Sequence, residues 1–288
     1  MSACCKDGVE HMKQAFSVSM CVYGGDNPSY FDTAVDSVVN QTVQPAEIVL
    51  TVDGPIPQTI EDVIKKYRAQ LAQSPIGFRV VYLEKNMGHG EARRICFNHC
   101  QHDLIALMDA DDLSVPDRFE KQLAVFGQHP ELSIVGGNIH EFIGTPDNCV
   151  GKRIVPEDDA AIKTYMKKRC PMNQMTVMFR KAAVQEAGGY QDWYCDEDYY
   201  LWIRMALAGK QFANVPENLV NVRVGKEMYQ RRGGWRYFKS EAKLQGFMLK
   251  KGMIGLPRYA VNVAQRLVLQ VLMPNKLRGW VFQRFARS

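Results

Sequence analysis

The chain has eight cysteines, Cys4, Cys5, Cys21, Cys96, Cys100, Cys149, Cys170 and Cys195, but no Cys-x-x-Cys pair. Neither a paired zinc-knuckle spacing nor a dithiol redox motif is therefore present. The first fifteen residues have no apolar core and contain acids, unlike a secretory leader, so the thiols are expected to be reduced and the compartment cytosolic. No run reaches the roughly 20 apolar residues of a membrane span; the best stretch, 261–273, is broken by Asn262, Gln265, Arg266 and Gln270. A Walker A sequence is lacking, and Gly88-x-Gly90 carries Arg93 where a dinucleotide fingerprint needs its third glycine. No histidine follows His140. Repeats, low-complexity tracts and Gly/Ser-rich linkers are also missing.

What is present is globular. Of 288 residues, 46% are hydrophobic and 23% charged, enough for a sizeable core in one large domain or two modest ones. The net charge of +5 hides a division. Residues 1–222 hold 21 Lys+Arg against 29 Asp+Glu, whereas 223–288 hold 15 against 2. An acidic body with a basic tail suggests different partners for the two parts.

Strand-like apolar runs alternate with helical patterns from 16 to about 140, as in βαβ units with a mainly parallel sheet. Strands are expected at 16–23, 47–52, 78–83, 104–108 and 133–137, and helices at 28–39, 60–71, 90–100 and 116–126. Asn27-Pro28 supplies a cap and a first-turn proline. The continuously apolar 104–108 predicts a central strand. Beyond it, helices are expected at 160–169, 181–187 and 196–208, a short strand at 176–180 and an extended segment at 212–224. The tail reads as helical at 235–251 and 257–285. Cys96 and Cys100, one turn apart near His99 and His102, permit a zinc site; adjacent turns of a buried helix explain them more simply.

Asp109-Ala110-Asp111-Asp112 places three carboxylates at the end of the expected central strand, where ligands of open α/β sheets bind. A solvated turn in which Asp112 or Ser114 caps the next helix needs one acid, and three repel one another unless a cation intervenes. Mg²⁺ or Mn²⁺ relieves this while leaving positions for phosphate oxygens. Asp196, Glu197 and Asp198 open a second acidic site at the start of a helix. There they complement the helix dipole, with Asp196 the natural cap. Asp198 lies three and four residues before Leu201 and Trp202 and so shares their inward face.

Several segments together resemble family-2 glycosyltransferases of the GT-A fold. Asp109-Ala110-Asp111-Asp112 is similar to the family's DxD motif, and 17–23 to its first strand. Gln41-Thr42, Glu47-Ile48-Val49 and Asp53-Gly54 are similar to its next helix, strand and uridine-contacting Asp. Asn86-x-Gly88-x-x-x-Ala92-Arg93 and Glu197-Asp198-Tyr199-x-Leu201-Trp202 match two further stretches. The resemblance covers roughly 16–225 and looks closest to bacterial enzymes of capsule, exopolysaccharide and O-antigen assembly. Departures are Gly24 and Arg94 where the family often has Asn, and Gln174 where relatives often have His.

The resemblance implies a GT-A catalytic domain over 16–225, with 16–112 binding the nucleotide and 113–225 the acceptor. It is preceded by an extension, 1–15, and followed by a basic helical tail, 226–288. It implies transfer from a UDP-sugar to a carbohydrate acceptor, an oligosaccharide or one linked to a lipid diphosphate, with inversion. Asp198 is the implied base and Asp111, with Asp109, the metal site. Asp53, otherwise a turn former, contacts uracil; Tyr23, otherwise a core aromatic, packs beside the base; Arg93, otherwise a surface charge, lies near the nucleotide. Arg231 and Arg232, otherwise a basic loop, close over the diphosphate. Residues 257–288 carry six Lys/Arg and no acid among Leu267, Leu269, Leu272, Trp280, Phe282 and Phe285, which suits an anionic membrane surface better than core packing or nucleic acid. The expected place is the cytoplasmic face of a bacterial inner membrane. A metal-dependent sugar nucleotidyltransferase, releasing pyrophosphate, and a non-catalytic nucleotide-sugar binder at the membrane are the alternatives.

Overall fold

The computed structural model describes residues 14–225 and 233–273. Arg231, Arg232, Trp280, Phe282, Phe285 and nearly all of the N-terminal extension lie outside them. Strands β1 (Phe16–Tyr23), β2 (Glu47–Asp53), β3 (Gly77–Tyr82), β4 (Leu104–Met108), β5 (Leu113–Ser114), β6 (Leu132–Phe142), β7 (Cys149–Arg153), β8 (Met178–Arg180) and β9 (Gln211–Arg223) form one sheet among the described residues. Its order is β3-β2-β1-β4-β8-β6-β9-β5, with β7 on β6. Pairing is parallel from β3 to β4 and again between β6 and β9; β5, β7 and β8 run antiparallel.

The helices are α1 (Pro28–Val39), α2 (Gln58–Leu71), α3 (His89–His99), α4 (Arg118–Gln128), α5 (Asp159–Met166), α6 (Lys181–Glu186), α7 (Glu197–Leu207), α8 (Trp235–Lys250) and α9 (Leu256–Leu267), with a π turn at Val268–Leu272. Asn27 caps α1 as its sequence requires, its Oδ1 accepting from the N–H groups of Ser29 at 2.9 Å and Tyr30 at 3.3 Å.

Strand β4 shows why a continuous apolar run is central. Leu104, Ala106 and Met108 join the core beneath α1, α2 and α4, while Ile105 and Leu107 join the opposite core with α3 and α7. Both faces are covered, so no position along the strand calls for a polar residue. The second core also takes Leu244 and Met248 of α8 and Ile254. Helix α8 and Ile254 are therefore packed into the body.

Two features depart from expectation. The strand expected at 133–137 runs to Phe142 because it pairs with β9 along its length and with β7 in a hairpin. Asp112 does not cap the next helix: it is buried, and its Oδ1 accepts from the N–H of Arg223 at 2.9 Å. Asp117 holds the N-cap position of α4, without a side-chain hydrogen bond.

A buried polar pair ties the halves of the sheet. Arg118 donates through Nη2 to the Leu107 carbonyl at 2.8 Å and through Nε to Gln122 Oε1 at 3.1 Å. Gln122 Nε2 donates to the carbonyls of Val135 and Thr176, each at 2.8 Å. Gln122→Leu keeps volume but strands two carbonyls and a guanidinium N–H. The expected loss is about 3 kcal/mol, read as a lower urea midpoint at unchanged m-value; a change below about 1 kcal/mol contradicts the bridging role.

Candidate active site

The site begins with register. Parallel pairing sets Tyr23 beside Asp53 and Met20 beside Met108, so β1, β2 and β4 end on one edge, with Asp109 and Asp111 just beyond β4. The sequence-derived donor-side residues of 16–112 therefore share one side of the sheet. Tyr23 is 41% exposed, so it is not a core aromatic. Asp53 is buried, and its two carboxylate oxygens accept from the N–H groups of Met87 at 2.6 Å and Gly88 at 3.1 Å. Gly54 makes this approach possible. Its φ is +84°, and a Cβ there would lie 2.5 Å from Asn86 N.

Arg93 projects from α3 into the interior and is 1% exposed. Its Nη2 pairs with Asp109 Oδ1, and its Nε donates to His89 Nε2 at 2.7 Å. His89 is thus an acceptor at Nε2, and the Arg93 charge, ahead of burial, lowers it to about 4. Partial desolvation and then the charges of Asp109 and Asp26 push the Asp111 carboxyl up to about 6. Burial, followed by Asp111 and Asp109, raises Asp112. Crowded carboxylates of this kind suit a divalent cation. Among the described residues no group of three or more His, Cys, Asp or Glu is arranged to hold one. A two-carboxylate site at Asp109 and Asp111 still fits Mg²⁺, which takes one or two carboxylates and completes its shell with water and phosphate.

A cavity of about 1140 Å³ adjoins this edge. Residues 87–91, the end of the loop before α3 and its first turn, line it together with 192–199, Asn173, Gln174 and Arg153. Asp198 lines it and accepts from the Tyr199 N–H at 2.6 Å, with Leu201 and Trp202 of the same helix fully buried behind. Glu197 also lines it, 3.9 Å from His89, and burial followed by the Asp198 charge pushes its carboxyl up to about 7. Asp109, Asp111, Asp53, Tyr23 and Arg93 are not part of the lining; His89 and Glu197 stand between the two groups.

Asp196 corrects its expectation. It occupies the N-cap position of α7 but makes no capping hydrogen bond, and its side chain is 4% exposed with Oδ2 unpartnered. Three acids in sequence cannot all face the helix amides, and this one is buried where the helix meets the cavity.

Several lining residues were not anticipated. Gln265, Arg266, Leu269 and Gln270, from α9 and the π turn, wall the cavity, and Arg266 is held there by its ion pair with Glu241. Arg223, at the end of β9, donates Nε to the Asp111 carbonyl at 3.1 Å and lies over the rings of Tyr30 and Phe142. No signal in the sequence around Arg223 pointed to this role.

Comparison with known proteins gives the family and the fold. The glycosyl transferase family 2 profile matches residues 17–186. The chain is 39% identical over 273 residues to an uncharacterized glycosyltransferase of Haemophilus influenzae, covering 95% of this chain and 99% of that one. It is 34% identical over 271 residues to an amylovoran biosynthesis glycosyltransferase of Erwinia amylovora, covering 93% and 98%. It is 32% identical over 272 residues to the Escherichia coli UDP-Gal:alpha-D-GlcNAc-diphosphoundecaprenol beta-1,3-galactosyltransferase, covering 94% and 96%. The crystal structure of S. aureus TarS 1–349 in complex with UDP-GlcNAc superposes with a TM-score of 0.64 at 16% identity, covering 88% of this chain and 73% of that one. A Pyrobaculum calidifontis mannosyltransferase in complex with GDP-Man and Mn²⁺ gives 0.61 at 13%, covering 94% and 77%. The chain belongs to glycosyltransferase family 2 and has the GT-A fold.

Asp196 supplies a pH test. Burial and then Asp198 push its carboxyl up to about 7, above its ordinary 3.8. Between those values the folded protein holds the extra proton, so stability falls as pH rises from about 4 to about 7. Asp196→Asn removes that loss. Its melting temperature should exceed the wild type's by several degrees at pH 8 and by much less at pH 4.5; an equal difference at both contradicts the assignment.

Proposed function

We propose that this chain transfers a hexose from a UDP-sugar to a carbohydrate acceptor carried on a lipid diphosphate, with inversion at the anomeric carbon. The observation that carries the reading is Asp198 in the wall of a large cavity that adjoins the strand edge holding Asp53, Asp109 and Asp111. The E. coli relative, named for UDP-Gal and a diphosphoundecaprenol acceptor, supports both substrates. The UDP-GlcNAc complex of the structural neighbour supports the donor class.

In this reading Asp198 takes the proton of the acceptor hydroxyl as its oxygen bonds to the anomeric carbon and the bond to UDP breaks. Asp53 and Tyr23 hold the uracil end. Arg93 fixes Asp109, and Asp111 with Asp109 would hold Mg²⁺ or Mn²⁺. When bound, that ion offsets the charge of the diphosphate. Arg231 and Arg232 close over the same group. The tail, 257–288, attaches the protein to an anionic membrane surface on the cytoplasmic side, where a lipid-borne acceptor is met.

Asp198→Asn should retain donor binding and lose roughly 10²–10⁴-fold in turnover, the usual contribution of a general base. A loss below about tenfold, with UDP release assayed against a panel of UDP-sugars, removes Asp198 from that role. Asp111→Ala should abolish the gain in UDP affinity that Mn²⁺ gives the wild type, because the diphosphate then meets Asp109 and Asp112 uncompensated. Titration of UDP with and without Mn²⁺ reads this directly. Equal wild-type affinity in both conditions rules out the metal site.

A further inference from the structure

Helix α9 is amphipathic the wrong way round for a helix packed on a protein. Asn262 is 1% exposed, its Nδ2 donating to the Lys167 carbonyl at 2.8 Å and to Gln245 Oε1 at 2.7 Å. Arg266 pairs with Glu241 and donates Nη2 to the Lys168 carbonyl at 3.1 Å. Polar contacts thus fasten the helix to the body. Tyr259 packs against the second core, but four apolar side chains face away: Leu256 and Leu272 are each 66% exposed, Val261 is 47% and Val268 48%. Pro257, Ala260 and Ala264 are exposed between them. At 100° per residue, 256 to 268 place these groups on an uncharged arc of about 140°. A surface helix normally buries such an arc.

We propose that the outward face of α9, Leu256, Val261, Val268 and Leu272, lies in the headgroup region of an anionic bilayer. The inference rests on the reading above that the acceptor is lipid-borne, and it assigns the attachment to one helix face. Three observations choose a membrane as the occupant. Arg258 of the same helix is exposed outside the arc, Lys250 and Lys251 are exposed at the end of α8, and residues 242–288 contain nine Lys/Arg and no Asp or Glu. A second copy of the chain would bring the same cations against these, whereas anionic lipid complements them. Trp235, 58% exposed, starts α8 beside the far end of the arc, where the Gly234 N–H bonds the Gln270 carbonyl at 2.9 Å; tryptophan favours the membrane interface. Finally, the helix and the turn that follows wall the cavity through Gln265, Arg266, Leu269 and Gln270. One element therefore separates the cavity holding Asp198 from the bilayer that would carry the acceptor. Among the described residues no helix is long and apolar enough to cross a membrane, so the contact is interfacial.

The test uses the full chain and vesicles of phosphatidylcholine with and without phosphatidylglycerol. The proteins are the wild type, Val261→Asp/Val268→Asp and the milder Val261→Ser/Val268→Ser, each checked by thermal melting. Co-sedimentation should show the wild type on phosphatidylglycerol vesicles. Partitioning should fall at least about tenfold in the Asp pair and by less in the Ser pair. Transfer to a short water-soluble acceptor should be unchanged, since neither valine lines the cavity. A wild type that ignores anionic vesicles, folded variants that partition as the wild type does, or a wild-type dimer that the Asp pair dissociates without any vesicle binding each overturns the proposal. Absence of transfer from every sugar nucleotide, in wild type and variants alike, would instead sink the functional reading and leave the partitioning result to stand.

Discussion

A guanidinium buried beside crowded carboxylates is the constraint around which the site is arranged. Arg93 is almost wholly removed from water, and an unpaired charge in that position would be strongly destabilising. Its pair with Asp109 balances the charge, and the field of Asp109, with smaller help from Glu197 among others, offsets the cost of burial. The same pair fixes which way Asp109 faces at the end of β4 and holds His89 as a neutral acceptor. Asp112 is settled differently, through the backbone of Arg223. Asp111 is left as the acid of this cluster whose carboxyl remains available at the strand edge.

The second acidic group follows a different rule. Asp196 and Glu197 are both driven toward neutrality by burial and by Asp198. Groups with such displaced titration cluster where chemistry is done. Here they sit on the first turn of a helix whose Leu201 and Trp202 lie in the core, so the wall that carries them is rigid. Stability is given up locally to keep carboxyls beside a cavity, and the core of α7 supplies the compensation.

Much of this was legible in the chain because it is local. Strand β4 announces its central place by having no polar position, and Asn27-Pro28 announces the start of α1. The acids at 109–112 and 196–198 are conspicuous because they are consecutive. What could not be read is set by distance along the chain. Nothing near Arg223 says that it will meet Asp112, 111 residues away in sequence. Nothing in 257–273 says that its polar side will turn inward to Lys167, Gln245 and Glu241. The composition of that segment indicated a surface-seeking helix, while the structure shows that it also completes the cavity. Asp196 was misjudged for a related reason: the cap rule counts amides to be satisfied but does not see the protein packed on the other side.

The bonds from Met87 and Gly88 to Asp53 carry a consequence for binding. Those two residues belong to the stretch, 87–91, that also lines the cavity beside Asp198. A ligand that engages Asp53 joins a carboxylate already holding Met87 and Gly88, and a ligand in the cavity meets the same two residues. Where the two ligands favour different positions of that stretch they are thermodynamically linked, each altering the other's affinity by the same factor.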